Sequence, residues 1–207
     1  MPKHFDDIVM PNPGLPIVVY HPDDTPRRLS AFDDVAVLPG SFDPLHVGHT
    51  RLKAIAEDIL GQSVVYELSI TNVEKSILAA DDVRRRLGQF ADSSIVITEA
   101  PRFVDKAKLF PGCCFVVGYD TAERIVSPAF YGRSESEMLT ALGEIRWSGN
   151  RFLVGGRLSA KTQTRQFACA GDLQVPTQFQ DMFEFIPEAT FREDVSSTQI
   201  RAEQKNG

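Results

Sequence analysis

Two imidazoles stand three residues apart in the segment Leu38-Pro39-Gly40-Ser41-Phe42-Asp43-Pro44-Leu45-His46-Val47-Gly48-His49. Residues so spaced share one face of a helix. A helix N-terminus presents unpaired N–H groups and the positive end of its dipole to an anion. Imidazoles placed there suit phosphoryl chemistry, because they donate hydrogen bonds as charge builds on a phosphate whose bond to a leaving pyrophosphate is breaking. Gly40 lets the backbone turn and come close to a ligand. Gly48 keeps the first helical turn free of a side chain. Taken alone, a His-x-x-His pair is more often structural than catalytic. A zinc pair would need a third ligand, which is not evident.

Further chemistry-bearing residues lie downstream. Val195-Ser196-Ser197-Thr198-Gln199-Ile200-Arg201 places three hydroxyls and a guanidinium within one turn. They read either as an N-cap cluster or as a phosphate grip of hydroxyls, N–H groups and arginine. Phe115-Val116-Val117-Gly118-Tyr119-Asp120 ends an apolar run in a small residue and a carboxylate. Gly118 admits a close ligand and Asp120 accepts a hydrogen bond from it, or the pair is a turn glycine and a helix N-cap. Lys75 follows the second strand of the series, and Arg157 follows Gly155-Gly156.

The elements that position these residues alternate. Short apolar runs predict strands at Val35–Leu38, Ser63–Ile70, Ser94–Thr98, Cys114–Gly118, Arg151–Gly155 and Phe183–Ile186. Helical spacing predicts helices at Val47–Leu60, stopped by Gly61, and at Asp81–Phe90, Phe103–Phe110, Ser134–Leu142 and Ser197–Gln204. Asp81 and Asp82 ahead of the arginines suit the helix dipole. Strand–helix alternation predicts a mostly parallel sheet covered on both faces, where ligands bind beyond the carboxyl ends of strands. Residues 1–32 hold six prolines and read as an irregular extension in which Ile17–Tyr20 is a short edge strand. Residues 33–207 form the domain proper. Asp172–Gln180 reads as a polar loop.

Composition bounds the partners. The 207 residues carry a net charge of -6, and 43% are apolar, ordinary for a domain with a real core. The acidic balance disfavours nucleic-acid binding, which needs a basic footprint. No run of about 18 apolar residues suggests a membrane span. Met1–Met10 carries Lys3, Asp6 and Asp7 and lacks the apolar centre of a signal peptide, so the cytoplasm is the expected location. Three cysteines, Cys113, Cys114 and Cys169, make no disulfide framework. Cys113 and Cys114 read as small apolar fillers. Oligomeric state stays open, a homo-oligomer included.

Gly-Ser-Phe-Asp-Pro-Leu-His-Val-Gly-His resembles the HxGH signature of the nucleotidylyltransferase superfamily. Val-Ser-Ser-Thr-Gln-Ile-Arg resembles its second signature, ISSTxIR. The two stand in the expected order, and the resemblance spans roughly residues 35–202. It implies a Rossmann-like, doubly wound fold of strand order 3-2-1-4-5. It also implies transfer of a nucleotidyl group, AMP from ATP first, to a small phosphorylated acceptor such as nicotinamide or nicotinate mononucleotide. Mg²⁺ accompanies the NTP, and no metal is held by the protein itself. By match, His46, His49 and Arg201 take the catalytic role. Gly40, Ser41, Phe42, His46, Gly48, His49, Gly118, Asp120, Ser196, Ser197, Thr198 and Arg201 bind the nucleotide, while Lys75 and Arg157 meet the acceptor. Relatives acting on nicotinamide mononucleotide set a tryptophan after the Gly-x-Asp element. Here the only tryptophan is Trp147, and Phe130 and Tyr131 stand nearer that position. Cytidylyl transfer and a phosphopantetheine-type acceptor stay open as alternatives. A non-catalytic nucleotide sensor is the rival of another class. A metal-dependent hydrolase would need carboxylates near the histidines, and in sequence only Asp43 is close.

Overall fold

The computed structural model describes residues 17–20, 35–71, 78–90, 93–158, 167–168, 172–192 and 200, with backbone only for 17–20, 157–158 and 167–168. Its strands are β1 (Ile17–Tyr20), β2 (Val35–Pro39), β3 (Ser63–Ser69), β4 (Ile95–Thr98), β5 (Cys114–Gly118), β6 (Arg151–Gly155), β7 (Arg157–Leu158), β8 (Phe167–Ala168) and β9 (Phe183–Ile186). Its helices are α1 (Val47–Leu60), α2 (Ala80–Leu87), α3 (Phe103–Leu109), α4 (Tyr119–Ile125) and α5 (Glu135–Trp147). One sheet runs β1-β4-β3-β2-β5-β6-β9, and β7 and β8 form a separate antiparallel pair. Counted from β2, the six parallel strands have order 3-2-1-4-5-6, a Rossmann-like α/β fold with one strand beyond the expected five. β1 adds antiparallel to β4, with Ile17 opposite Thr98 and Tyr20 opposite Ile95.

The inner strands are apolar on both sides because both faces are covered. Even-numbered residues of β2, β3 and β5 (Ala36, Leu38, Val64, Tyr66, Cys114, Val116) pack with Leu52 and Ala56 of α1 and Val83 and Leu87 of α2. Odd-numbered residues (Val37, Phe115, Val117) pack with Ala107 of α3, Ala122 of α4 and Leu142 and Ile145 of α5. Cys113 and Cys114 are buried at 4% and 3% exposure, as small fillers.

Three expectations need correction. The helix foreseen as Ser134–Leu142 continues to Trp147, because Ile145 extends the buried stripe of Met138 and Leu142. The loop expected at Asp172–Gln180 contains the start of a 3-10 turn, Thr177–Met182, whose Phe179 and Met182 enter the core three residues apart. The helix foreseen as Asp81–Phe90 ends at Leu87, with Gly88 as its C-cap. The helix expected at Ser197–Gln204 lies outside the described residues except Ile200.

Candidate active site

The chain winds outward from β2 through β3 to β4, then returns to place β5 on the other side of β2, Val37 opposite Phe115. The order reverses between β2 and β5, and in open parallel sheets ligands bind beyond the carboxyl ends of the strands at such a point. Gly40 to His46 leave β2 at that point, and Gly118 to Asp120 leave β5 beside it. The fold thus brings together two segments that are about 70 residues apart in the chain.

α1 begins inside the His-x-x-His segment. His46 is its N-cap, in extended conformation (φ -145°, ψ 168°), so it precedes the helix rather than lying on its face. His49 is the third helical residue. The His46 backbone N–H donates to His49 Nδ1 at 3.3 Å, the reciprocal half of a capping box in which an imidazole replaces the usual carboxylate. The two rings stack, with centroids 3.8 Å apart and 30° between planes. Burial, and secondarily the neighbouring His46, push the His49 pKa down from 6.5 to about 4. His49 is therefore neutral near pH 7. With Nδ1 accepting a bond, its proton sits on Nε2, where it is a donor.

The loop between β2 and α1 is fixed by its own packing. Phe42 is fully buried at φ 46°, in the left-handed region that a bulky side chain rarely adopts. Its ring meets His49, Tyr66 and Phe90 edge-on, with centroids 5.1–5.4 Å away. It also lies over Gly40, where a Cβ would stand 2.6 Å from Phe42 Cε1. Only glycine lets strand and ring approach so closely. The Gly40 N–H donates to the backbone carbonyl of Glu67, carrying the β2–β3 ladder one step past the strand. Ser41 is exposed and Gly48 buried.

α2 and the turn after it supply residues that the sequence motifs did not single out. Arg86 Nη1 donates to Ser41 O at 2.7 Å, and Arg86 Nη2 lies 3.4 Å from Asp43 Oδ2. Arg85 Nη2 pairs with Asp43 Oδ1 at 2.7 Å, and this bond, with one to Asp82, raises the Arg85 pKa. Gln89 donates from Nε2 to Phe42 O and accepts at Oε1 from Leu45 N, both at 2.8 Å. A signal for Arg86 was present: Val83, Arg86, Leu87 and Phe90 occupy i, i+3, i+4 and i+7, the buried stripe of a helix. An arginine on that stripe, here 8% exposed, must find acceptors inside.

Gly118 ends β5 and is the N-cap of α4, so the helix opens two residues earlier than an Asp120 cap would place it. A Cβ on Gly118 would meet nothing within 4 Å, and Asp120 is exposed in the first turn. At the same end of the sheet, Glu67 and Lys106 form an ion pair at 2.7 Å with side chains 0% and 5% exposed. Thr98 donates to Glu67 Oε1, and Lys106 also donates to the Ala100 carbonyl. Phe130 is 56% exposed, with the Arg124 guanidinium 5.7 Å above its ring. Tyr131 donates its hydroxyl to Ile125 O, and Trp147 is 93% exposed at the end of α5. Lys75, Ser196, Ser197, Thr198 and Arg201 lie outside the described residues, as does the side chain of Arg157. Among the described residues, no group of three or more His, Cys, Asp or Glu could hold a metal ion, and no helix is long and apolar enough to cross a membrane.

A parallel sheet whose reversal point gathers a glycine-bearing loop and a helix N-terminus is the arrangement of nucleotide-binding α/β domains, and here a stacked imidazole pair joins it. The chain belongs to the cytidylyltransferase-like family, whose model matches residues 37–203. This family lies within the HxGH nucleotidylyltransferase superfamily, and the chain is accordingly a nucleotidyltransferase by family. No curated protein matches the chain.

Proposed function

We propose that residues 33–207 form a cytoplasmic adenylyltransferase domain that joins AMP from ATP to a small phosphorylated acceptor, nicotinamide or nicotinate mononucleotide first, and releases pyrophosphate. The observation that carries this reading is the stacked His46–His49 pair at the N-terminus of α1, beyond β2. An oxygen of the acceptor phosphate attacks the α-phosphorus in line. A new P–O bond forms, the α–β bridging P–O bond breaks, and its electron pair leaves with pyrophosphate. Neutral His49 donates from Nε2 as charge gathers on the α-phosphate, and His46 acts beside it. By the matched second signature, Ser196, Ser197, Thr198 and Arg201 hold the β- and γ-phosphates. Lys75 and Arg157 neutralise the acceptor. Gly118, with open space at its Cα, admits the nucleotide past β5, and Asp120 accepts a hydrogen bond from it. Mg²⁺ arrives on the triphosphate and neutralises its charge.

The test is pyrophosphate release by the purified protein with Mg²⁺, each NTP separately and a panel of phosphorylated acceptors. Release with ATP only when nicotinamide or nicotinate mononucleotide is present supports the full reading. Release with CTP or another acceptor keeps the chemistry and replaces the substrate. Nucleotide binding without turnover across the panel replaces the enzyme with a sensor.

A further inference from the structure

We propose that Gln89, with Arg86, is a positioning residue that sets the imidazoles for nucleotidyl transfer, an inference that rests on the functional reading above. Residues 41–45 have no ladder of their own, and several of their polar groups are held by Arg85 and Arg86 of α2 and by Gln89 just past its Gly88 C-cap. Arg86 holds the Ser41 carbonyl and, with Arg85, the Asp43 carboxylate. The Gln89 amide acts as a peptide edge would, donating to Phe42 O and accepting from Leu45 N. It is itself steadied by a bond from Nε2 to Arg86 O at 3.1 Å. These bonds bracket Phe42, the residue held at φ 46°. Backbone strain of this kind persists only where its surroundings over-determine it, and it gathers at functional sites. Leu45 precedes the His46 N-cap directly, and the Phe42 ring touches His49. A shift of the loop therefore moves both imidazoles. Gln89 meets no reacting atom in this scheme; it acts through the loop.

The experiment compares wild type with Gln89→Leu, which keeps the side chain's bulk and removes both bonds to the loop together with the one to Arg86 O, and with Gln89→Glu. Each variant is checked for cooperative unfolding, then measured for kcat and KM in pyrophosphate release and for the NMR titration of the His49 ring. Gln89→Leu is expected to lose roughly tenfold to a hundredfold in kcat, with the KM for NTP changing less than about threefold. Its His49 titration moves from about 4 toward 6.5 as the ring loses its enclosure. Gln89→Glu recovers activity relative to wild type as pH falls, because a protonated carboxyl restores the donor to Phe42 O while still accepting from Leu45 N. A folded Gln89→Leu protein with wild-type kcat, or one whose His49 titrates where the wild-type ring does, overturns the proposal. If wild type turns over no NTP with any acceptor, the functional reading fails, and the His49 titration alone decides whether Gln89 positions the ring.

Discussion

Acidification should destabilise this fold through His49 in a defined window. The folded ring has its pKa lowered from 6.5 to about 4, first by burial and then by His46. Below 6.5 the unfolded chain takes up a proton that the folded ring refuses. The stabilising contribution is thus complete above pH 6.5, falls as pH drops through the window, and is spent near pH 4. A gap of this size corresponds to roughly 3 kcal/mol over the whole window, of which about 2 kcal/mol is lost between pH 7 and pH 5. For a domain of this size that loss lowers Tm by roughly 4–8 °C. His49→Asn provides the comparison, since an amide oxygen can take the place of Nδ1 as acceptor for the His46 N–H while carrying no titratable group. Urea unfolding at a series of pH values should give wild type a steeper loss of stability than His49→Asn between pH 6.5 and 4, by the amount above. Parallel curves for the two proteins would refute the argument that burial holds His49 neutral.

Gly40→Ala should cost about 2 kcal/mol in chemical denaturation, because the new Cβ would sit 2.6 Å from a ring with no room to retreat. Gly118→Ala, facing open space, should leave stability within about 0.5 kcal/mol and instead weaken nucleotide binding by calorimetry. Lys106→Met should destabilise by about 3–5 kcal/mol, since it strands the Glu67 carboxylate in the core; pairing it with Glu67→Met should recover most of that loss in the same unfolding assay. His46→Ala should lower kcat by roughly a hundredfold or more while changing ATP affinity far less, as steady-state kinetics beside direct binding will show.

Much of the architecture was legible because periodicity reports burial directly. Val47–Leu60, Cys114–Gly118, Arg151–Gly155 and Phe183–Ile186 have the bounds their patterns predict. Each is an apolar run or stripe stopped by a turn residue, and nothing distant competes with it. α4 was harder: seven residues give barely two turns of pattern, and Tyr119-Asp120-Thr121 reads equally as a loop. In the site, the identities of His46 and His49 were readable, but their stacking was not. That depends on His46 standing outside the helix as N-cap, a matter of one residue at a boundary. Arg85, Arg86 and Gln89 were missed because the arginine run satisfied a simpler expectation, basic residues late in a helix. Their partners Ser41, Phe42, Asp43 and Leu45 lie some 40 residues away in the chain, and only the packing of α2 over the loop joins them.

The two outer strands of the sheet bear on how copies of this protein behave in a crowded solution. A free sheet edge offers a row of unpaired peptide groups to which another chain can add, and long flat edges of this kind seed aggregation. Here both outer positions go to strands of four residues, β1 and β9. Pro16 immediately precedes β1, and Pro187 immediately follows β9. Neither proline has an N–H to offer an incoming strand. The longer strands β2 and β3, with five and seven residues, are paired on both sides, as are the continuously apolar β4 and β5. Among the described residues, the margins of the sheet are thus short strands flanked by proline, an arrangement that discourages edge-to-edge growth.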